Sequence, residues 1–558
     1  MTYADFYQPG VPREIDAPTQ SLVHLYESAV ASGKKLVATD FFGRTLTYAQ
    51  VGAAIERAAE GLRRLGVRPG DRVALVLPNC PQHAIAFYAV LRLGAIVVEH
   101  NPLYTARELR HMFEDHAAQV AIVWDVAVER VRDQPRDIAP AQIVSVKLLA
   151  EFPLTKRLAL RLPLPRLRHL RRRLTSKAKA TMTWRKLLSS GRLKHNHPRP
   201  AVTDVAAIQY TSGTSGTPKG AVLTHANLYS NALQADAWMH DARTGEETLY
   251  AILPFFHALG LTSCLTYGFM KQSRMVIFPT FDIDSVMSTI KRRPPTVLCA
   301  VPPIFEAIAN AAQKHHRNLS AIRICLSGAM AASAQVRERW SQTHAGDMIE
   351  GYGLTECSPI ALGNPFYSTR KPGTVGLPFP STEIRVVDID DPGHAVTSGQ
   401  RGELLIRGPQ VFRGYWNNPT ATGEALLEGG WLATGDIVTE DEEGFVTIVD
   451  RKKELIITGG FNVAPTEVEL VLDTHPDIVR AAVVGLPHAH SGEEVVAAVV
   501  LKPDRALDDR QIRSYCRARL AAYKVPRRII QVEAIPQTLL GKIQHSQVRQ
   551  SLLDGQHR

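Results

Sequence analysis

No CxxC pair occurs among the six cysteines, Cys80, Cys264, Cys299, Cys325, Cys357 and Cys516, which are scattered along 558 residues. Such dispersal argues against both a disulfide framework and a zinc cage, and fits a reducing compartment. Long apolar runs are missing too, since the stretch 84–98 is interrupted by Arg92. Residues 1–10 lack the basic-then-apolar order of a secretory signal, so neither export nor membrane spanning is expected and a cytoplasmic location is. No repeat of about 20 to 50 residues is present, which argues against a solenoid. Acidic residues are nearly absent from one segment only: 151–200 holds 15 Lys and Arg against a single Glu. The remaining 50 basic and 53 acidic residues almost cancel, so the formal charge of +11 belongs to that insertion.

What is present is ordinary globular material, 45% hydrophobic and 21% charged, in a chain too long for one compact core. From 46 to about 149, helical periodicity such as 48–65 alternates with short apolar strands such as 72–77 and 95–98. A second stretch of this kind runs over 205–349, with strand-like segments at 275–278, 296–300 and 322–327. Two layered α/β units follow from that alternation. After Gly376 the elements shorten and turns multiply, with strands predicted at 383–387, 402–407 and 444–449. A small α/β pattern then closes the chain: helices at 465–473 and 509–520, strands at 480–485 and 495–501. The fold class expected is therefore α/β. A large N-terminal domain of two stacked α/β subdomains plus a β-rich subdomain, residues 1–451, precedes a small mobile α+β C-terminal domain, residues 452–558.

The segment Tyr210-Thr-Ser-Gly-Thr-Ser-Gly-Thr-Pro-Lys-Gly220 packs hydroxyls, glycines and a cation behind the apolar strand 206–208. Glycines at 213 and 216 let backbone N–H groups approach a phosphate, Thr211, Ser212, Thr214, Ser215 and Thr217 donate, and Lys219 compensates charge. The Walker pattern is absent, because Lys219 lies between Pro218 and Gly220, and a P-loop ATPase is not supported.

With this loop the chain resembles the adenylate-forming superfamily of acyl-CoA synthetases, firefly-type luciferases and peptide-synthetase adenylation domains. Further motifs of that family stand, in order and over nearly the whole chain, at Gly351-Tyr-Gly-Leu-Thr-Glu356, Thr434-Gly-Asp436, Asp450-Arg-Lys-Lys-Glu-Leu-Ile456, Gly459-Gly-Phe-Asn462 and Gly541-Lys542. The resemblance implies an ATP site formed by the 211–219 loop together with Gly328, Ala329, Gly351, Tyr352, Gly353, Thr355, Asp436, Arg451 and Lys542. In it Thr355 meets the α-phosphate and Glu356 binds Mg²⁺, a hard ligand for a hard cation. Tyr352 lies against adenine with Gly328 and Ala329 beside the purine, and Asp436, helped by Arg451, takes the ribose diol. Lys542 serves the adenylation step by neutralising charge as a carboxylate attacks the α-phosphorus. Lys453 matches the hinge of the small domain, Gly459 and Gly460 the path of pantetheine, and His257 a histidine near the acyl carboxylate. One departure stands out: three residues after Lys542 the family usually has arginine, and here there is His545.

The segments Glu99-His-Asn-Pro-Leu-Tyr-Thr105, Pro254-Phe-Phe-His257 and Leu520-Ala-Ala-Tyr-Lys-Val-Pro526 resemble those of bacterial long-chain fatty acid CoA ligases. That implies ATP, Mg²⁺ and coenzyme A as reactants and a medium- to long-chain fatty acid as substrate. Rival expectations are a CoA ligase for aryl acids, an acyl-AMP ligase loading a carrier protein, and a catalytically silent acyl or nucleotide sensor. A luciferase-like oxidation is disfavoured by Ile457, which stands where that group has its second lysine. In the basic insertion, Leu167, Leu170 and Leu174 fall on one predicted helical face after Pro165, with Trp184 placed to reach head-group depth. Contact with an anionic membrane and a solvated excursion are both open readings of 151–200, while nucleic acid is not expected because no recognised motif accompanies the basic run.

Overall fold

The computed structural model describes residues 3–211, 218–458, 461–488, 492–538 and 541–556. Among them the 48–65 periodicity becomes a helix, Tyr48–Arg64, started by a capping box in which Thr47 and Gln50 satisfy each other's backbone N–H groups. Val51, Ile55, Ala58, Ala59 and Leu62 form its buried stripe. Gly61 lets the chain at Leu187 approach, where a Cβ would stand 2.6 Å from the Leu187 carbonyl oxygen.

Two large sheets organise the N-terminal part. In the first, the strands Ile96–Glu99, Arg72–Val76, Val120–Trp124 and Gln142–Val146 run parallel, and Val205–Thr211 and Lys219–Thr224 extend it as an antiparallel pair. The second carries the parallel strands Arg274–Ile277, Thr248–Ala251, Val297–Ala300, Ile324–Ser327 and Met348–Gly353. The two sheets do not follow the sequence blocks expected above. Val37–Phe41 pairs with Arg274–Ile277, so the earliest strands complete the second sheet, while the pair around the hydroxyl-rich loop completes the first. The chain crosses between layers more than once, which keeps each sheet's apolar strands covered on both faces.

The helix His225–Trp238 lies between these layers, and its polar residues are interior. Asn227 donates to the carbonyls of Pro409 and Val411, Asn231 to Ile360, and Gln234 to Pro380, while the Trp238 indole reaches Asn364. Buried amides that find carbonyl acceptors cost little and tie both sheets to the β-rich unit. That unit is the antiparallel sheet of Glu383–Val387, Gly402–Arg407 and Trp431–Glu440, with Val446–Arg451 paired to the last.

The small C-terminal domain is built on Ile478–His488 and Gly492–Leu501. Alternation along the first of these sends Ala481 and Val483 into one apolar cluster and Ala482, Val484 and Leu486 into another. The helices Pro465–Asp473 and Asp509–Arg517 supply buried residues to the first cluster and His545–Gln556 to the second. All six cysteines are free and buried.

The basic insertion departs from expectation. Trp184 is buried rather than exposed, and Leu167 and Leu174 pack against the core. Helix Pro165–Leu174 therefore turns Leu167 and Leu174 inward, because the protein core is the nearer apolar surface, while Leu170, the third residue of the predicted face, stays exposed. No described helix is long and apolar enough to cross a membrane.

Candidate active site

A cleft of about 890 Å³ opens where the two large sheets, the β-rich sheet and the small domain meet. Its wall includes Thr211, Lys219, His257, Gly328, Ala329, Gly351, Tyr352, Gly353, Thr355, Glu356, Arg451, Lys453 and Lys542. The structure thus brings together residues spread over more than three hundred positions. Ser212, Gly213, Thr214, Ser215, Gly216 and Thr217, as well as Gly459 and Gly460, lie outside the described residues.

Strand pairing places the sugar-side group. Asp436 stands directly opposite Arg451 in the antiparallel register, so their side chains share one face and meet, Arg451 Nε lying 3.0 Å from Asp436 Oδ1. The hydroxyl of Tyr352 donates to the other carboxylate oxygen at 2.5 Å. Asp436 is 3% exposed. Both oxygens are positioned by protein donors, and each retains a lone pair for a diol. Burial, reinforced by Asp436, holds the Tyr352 hydroxyl well above its ordinary pKa, so it remains a donor.

The turn after Met348–Gly353 sets Thr355 and Glu356. Gly353 is required there, since a Cβ would fall 1.7 Å from the Pro359 carbonyl oxygen. Glu356 is buried, accepts from the Tyr415 hydroxyl at 2.7 Å, and has its carboxyl raised above the usual range by desolvation. Lys219 lies over the same Tyr415 ring, 5.3 Å from its centroid. Replacing Gly353 by alanine should displace this turn, costing roughly 3 kcal/mol or more of stability and weakening nucleotide binding in proportion. Thermal melting in the presence and absence of ATP checks it; an unchanged melt would mean that the turn yields freely.

His257 caps a short helix by accepting from the Leu259 N–H at 3.4 Å on Nδ1, which leaves its proton on Nε2. Burial lowers its pKa to about 4, so the ring offers a neutral N–H to the cleft near neutral pH.

Lys542 arrives from the small domain. Gly541 has φ +81°, and a Cβ there would meet Pro303 of the large domain at 3.3 Å, so the bare glycine lets the tail sit flush. Thr538 and Lys542 close the tail's turn, the Thr538 N–H donating to the Lys542 carbonyl at 2.8 Å. Desolvation, with Arg451 adding like charge, pulls the Lys542 ammonium down to about 8. His545 takes up the place of the expected arginine as a cation. Nε2 stands 2.7 Å from Glu469 and Nδ1 3.2 Å from Glu454. Burial alone would lower its pKa, but these two carboxylates raise it to about 10. Glu454 belongs to the same turn as Lys453, which is exposed between the strands Val446–Arg451 and Ile456–Thr458, so His545 links the Lys542 tail to that turn.

Two cleft residues escaped the sequence reading. Tyr415, which serves both Glu356 and Lys219, comes from a two-residue strand, Gly414–Tyr415, paired with Lys219–Thr224 and carrying no motif. Gln209 is 2% exposed, lines the cleft, and has neither amide atom hydrogen-bonded. A buried polar side chain at the site end of an otherwise apolar strand was the available signal.

Comparison with known proteins agrees with this geometry. The profile described as AMP-binding enzyme matches residues 25–416, and that of the AMP-binding enzyme C-terminal domain matches residues 467–542. A long-chain-fatty-acid–CoA ligase of Bacillus subtilis is 34% identical, covering 99% of this chain and 98% of that protein. A protein of the same name from Yersinia pestis is 36% identical over 97% and 96% of the two chains. Among solved structures, an anthranilate CoA ligase in complex with anthranoyl-AMP superposes with a TM-score of 0.82 at 26% identity over the full length of both. One cleft shared by two domains, both matched by their own profiles and by relatives along nearly all their length, places the chain in the AMP-binding enzyme family.

Proposed function

We propose that the protein joins a medium- to long-chain fatty acid to coenzyme A through an acyl-adenylate. The observation that carries the chemistry is the lodging of Lys542, from the C-terminal tail, in the cleft lined by Thr355, Tyr352 and Arg451, the last two of which hold the buried Asp436 carboxylate just behind the wall. In the first step a carboxylate oxygen attacks the α-phosphorus of ATP and the bond to pyrophosphate breaks. Lys542 and Thr355 offset the charge that develops on phosphorus, and Asp436 fixes the ribose. His257 donates its Nε2–H to the acid, and the 211–219 loop with Lys219 holds the departing phosphates. In the second step the thiolate of coenzyme A attacks the acyl carbonyl and the bond to AMP breaks. No protein nucleophile is needed, because the mixed anhydride already has a good leaving group.

Mg²⁺ fits this arrangement through one protein ligand. Glu356 is a buried carboxylate on the cleft wall next in sequence to Thr355, and no group of three or more His, Cys, Asp or Glu suited to a metal occurs among the described residues. One carboxylate plus substrate phosphates is how this ion is commonly held, and it would supply charge neutralisation at the phosphate oxygens. Division of the chain into 1–451 and 452–558, with Lys453 as hinge and Gly459 and Gly460 along the pantetheine path, would let the small domain turn between the two steps.

The choice of acid rests on the names of the relatives and on the three short segments that resemble fatty acid CoA ligases. A panel of saturated and aromatic acids, assayed for AMP release with and without coenzyme A, tests both substrate and acceptor. Saturated acids of about ten carbons or more should give kcat/KM at least tenfold above benzoate and 4-coumarate, each extra buried methylene being worth roughly 0.8 kcal/mol. Higher values for the aromatic acids would overturn the fatty acid reading, and acyl-AMP that never passes to coenzyme A would overturn the acceptor.

A further inference from the structure

We propose that the surface formed by residues 154–173 docks onto an anionic lipid bilayer. Leu154, Leu158, Leu162, Leu164 and Leu170 are all more than two-fifths exposed, Leu154 at 72% and Leu158 at 61%. Five of the thirteen large hydrophobic residues exposed on the described chain thus fall within seventeen positions. Exposed leucines gathered so closely along the chain point to an interaction surface.

The patch is held rather than loose. Leu167 and Leu174 anchor helix Pro165–Leu174 on the core, and the Trp124 indole donates to the Leu174 carbonyl at 3.3 Å. Thr175, one residue beyond, bonds the Asp125 carboxylate. With its inner side fixed, the helix must present Leu170 and Arg166, Arg168 and Arg171 to Arg173 outward, and these are exposed. No acidic residue occurs from 152 to 203, and no ion pair takes any of those arginines among the described residues.

This combination selects the partner. A merely solvated basic face gains nothing by exposing five leucines. A nucleic acid would want aromatic rings for stacking, yet Phe152 and Trp184, the only Phe, Tyr or Trp in 151–200, are both buried. Leucines flanked by arginines, with no acidic side chain to repel phosphate, match the interface of a bilayer carrying anionic head groups. The leucines enter the acyl boundary while the guanidinium groups stay among the phosphates.

Flotation of the full-length protein with phosphatidylcholine vesicles, with and without about 30 mol% phosphatidylglycerol, tests the docking directly. The protein should float with the anionic vesicles only, and the triple variant R171E/R172E/R173E should lower partitioning by about thirtyfold or more, as expected when several basic side chains near a charged surface change sign. L154S/L158S should weaken it about tenfold without changing its salt dependence. Both variants alter exposed side chains, so unchanged melting and ATP binding would show that they remain folded. Absence of flotation, equal binding to neutral vesicles, or retention by either variant overturns the proposal. So does tight binding of RNA that is lost with the arginine variant but indifferent to the leucine one.

Discussion

Lys542→Ala should slow acyl-adenylate formation by about 10²- to 10³-fold while leaving the transfer of a supplied acyl-adenylate to coenzyme A nearly untouched. The cation lies in the cleft beside Thr355 and Arg451, where burial makes a charge aimed at a developing oxyanion worth roughly 3–4 kcal/mol. It contributes nothing comparable once pyrophosphate has left. Pyrophosphate exchange isolates the first half-reaction and thiolysis of synthetic acyl-AMP the second. Equal losses in both would make Lys542 a structural residue. The pH profile gives a further reading. Because desolvation lowers the Lys542 ammonium to about 8, the free enzyme holds it protonated below that pH and loses it above. The kcat/KM for adenylation should therefore bend downward near pH 8, and Lys542→Arg, whose charge persists, should remove the bend even if its rate is lower.

Asp436→Ala should raise the KM for ATP by about 10- to 100-fold and lower the melting temperature by several degrees. Two effects coincide. The ribose loses charge-assisted hydrogen bonds worth about 1.5–3 kcal/mol, and the Tyr352 hydroxyl and Arg451 guanidinium lose their common acceptor. Arg451 is 38% exposed on its side chain, so water compensates part of that loss and the stability cost should stay near 2 kcal/mol. Asp436→Asn keeps the shape and one acceptor and should fall between the two in both measurements. A lower melt with an unchanged KM would assign Asp436 to scaffolding alone.

What the sequence disclosed, it disclosed locally. The helix Tyr48–Arg64 and the strands Glu383–Val387 and Gly402–Arg407 were legible because periodicity and turn residues act within a few positions. Motif residues such as Asp436 and Lys542 were legible by resemblance, since the chemistry restricts which side chains serve. The sheet to which Val37–Phe41 belongs was not, because its partner lies more than two hundred residues away. Helix His225–Trp238 hid its interior position behind amides whose carbonyl acceptors sit on distant loops. Leu167, Leu170 and Leu174 showed an amphipathic pattern, but a pattern does not say what lies on the apolar side, and the protein core took Leu167 and Leu174, as it took Trp184.

An acyl-adenylate acylates whatever thiolate it meets, and a cell-free thiol on the enzyme would compete with the intended acceptor. Here Cys80, Cys264 and Cys325 are pushed by burial up to about 12, Cys516 to about 11, and burial holds Cys299 and Cys357 well above the ordinary thiol value too. Even Cys357, next in sequence to Glu356, is sealed and protonated. The interior placement of every thiol therefore spares the protein from labelling itself with its own intermediate.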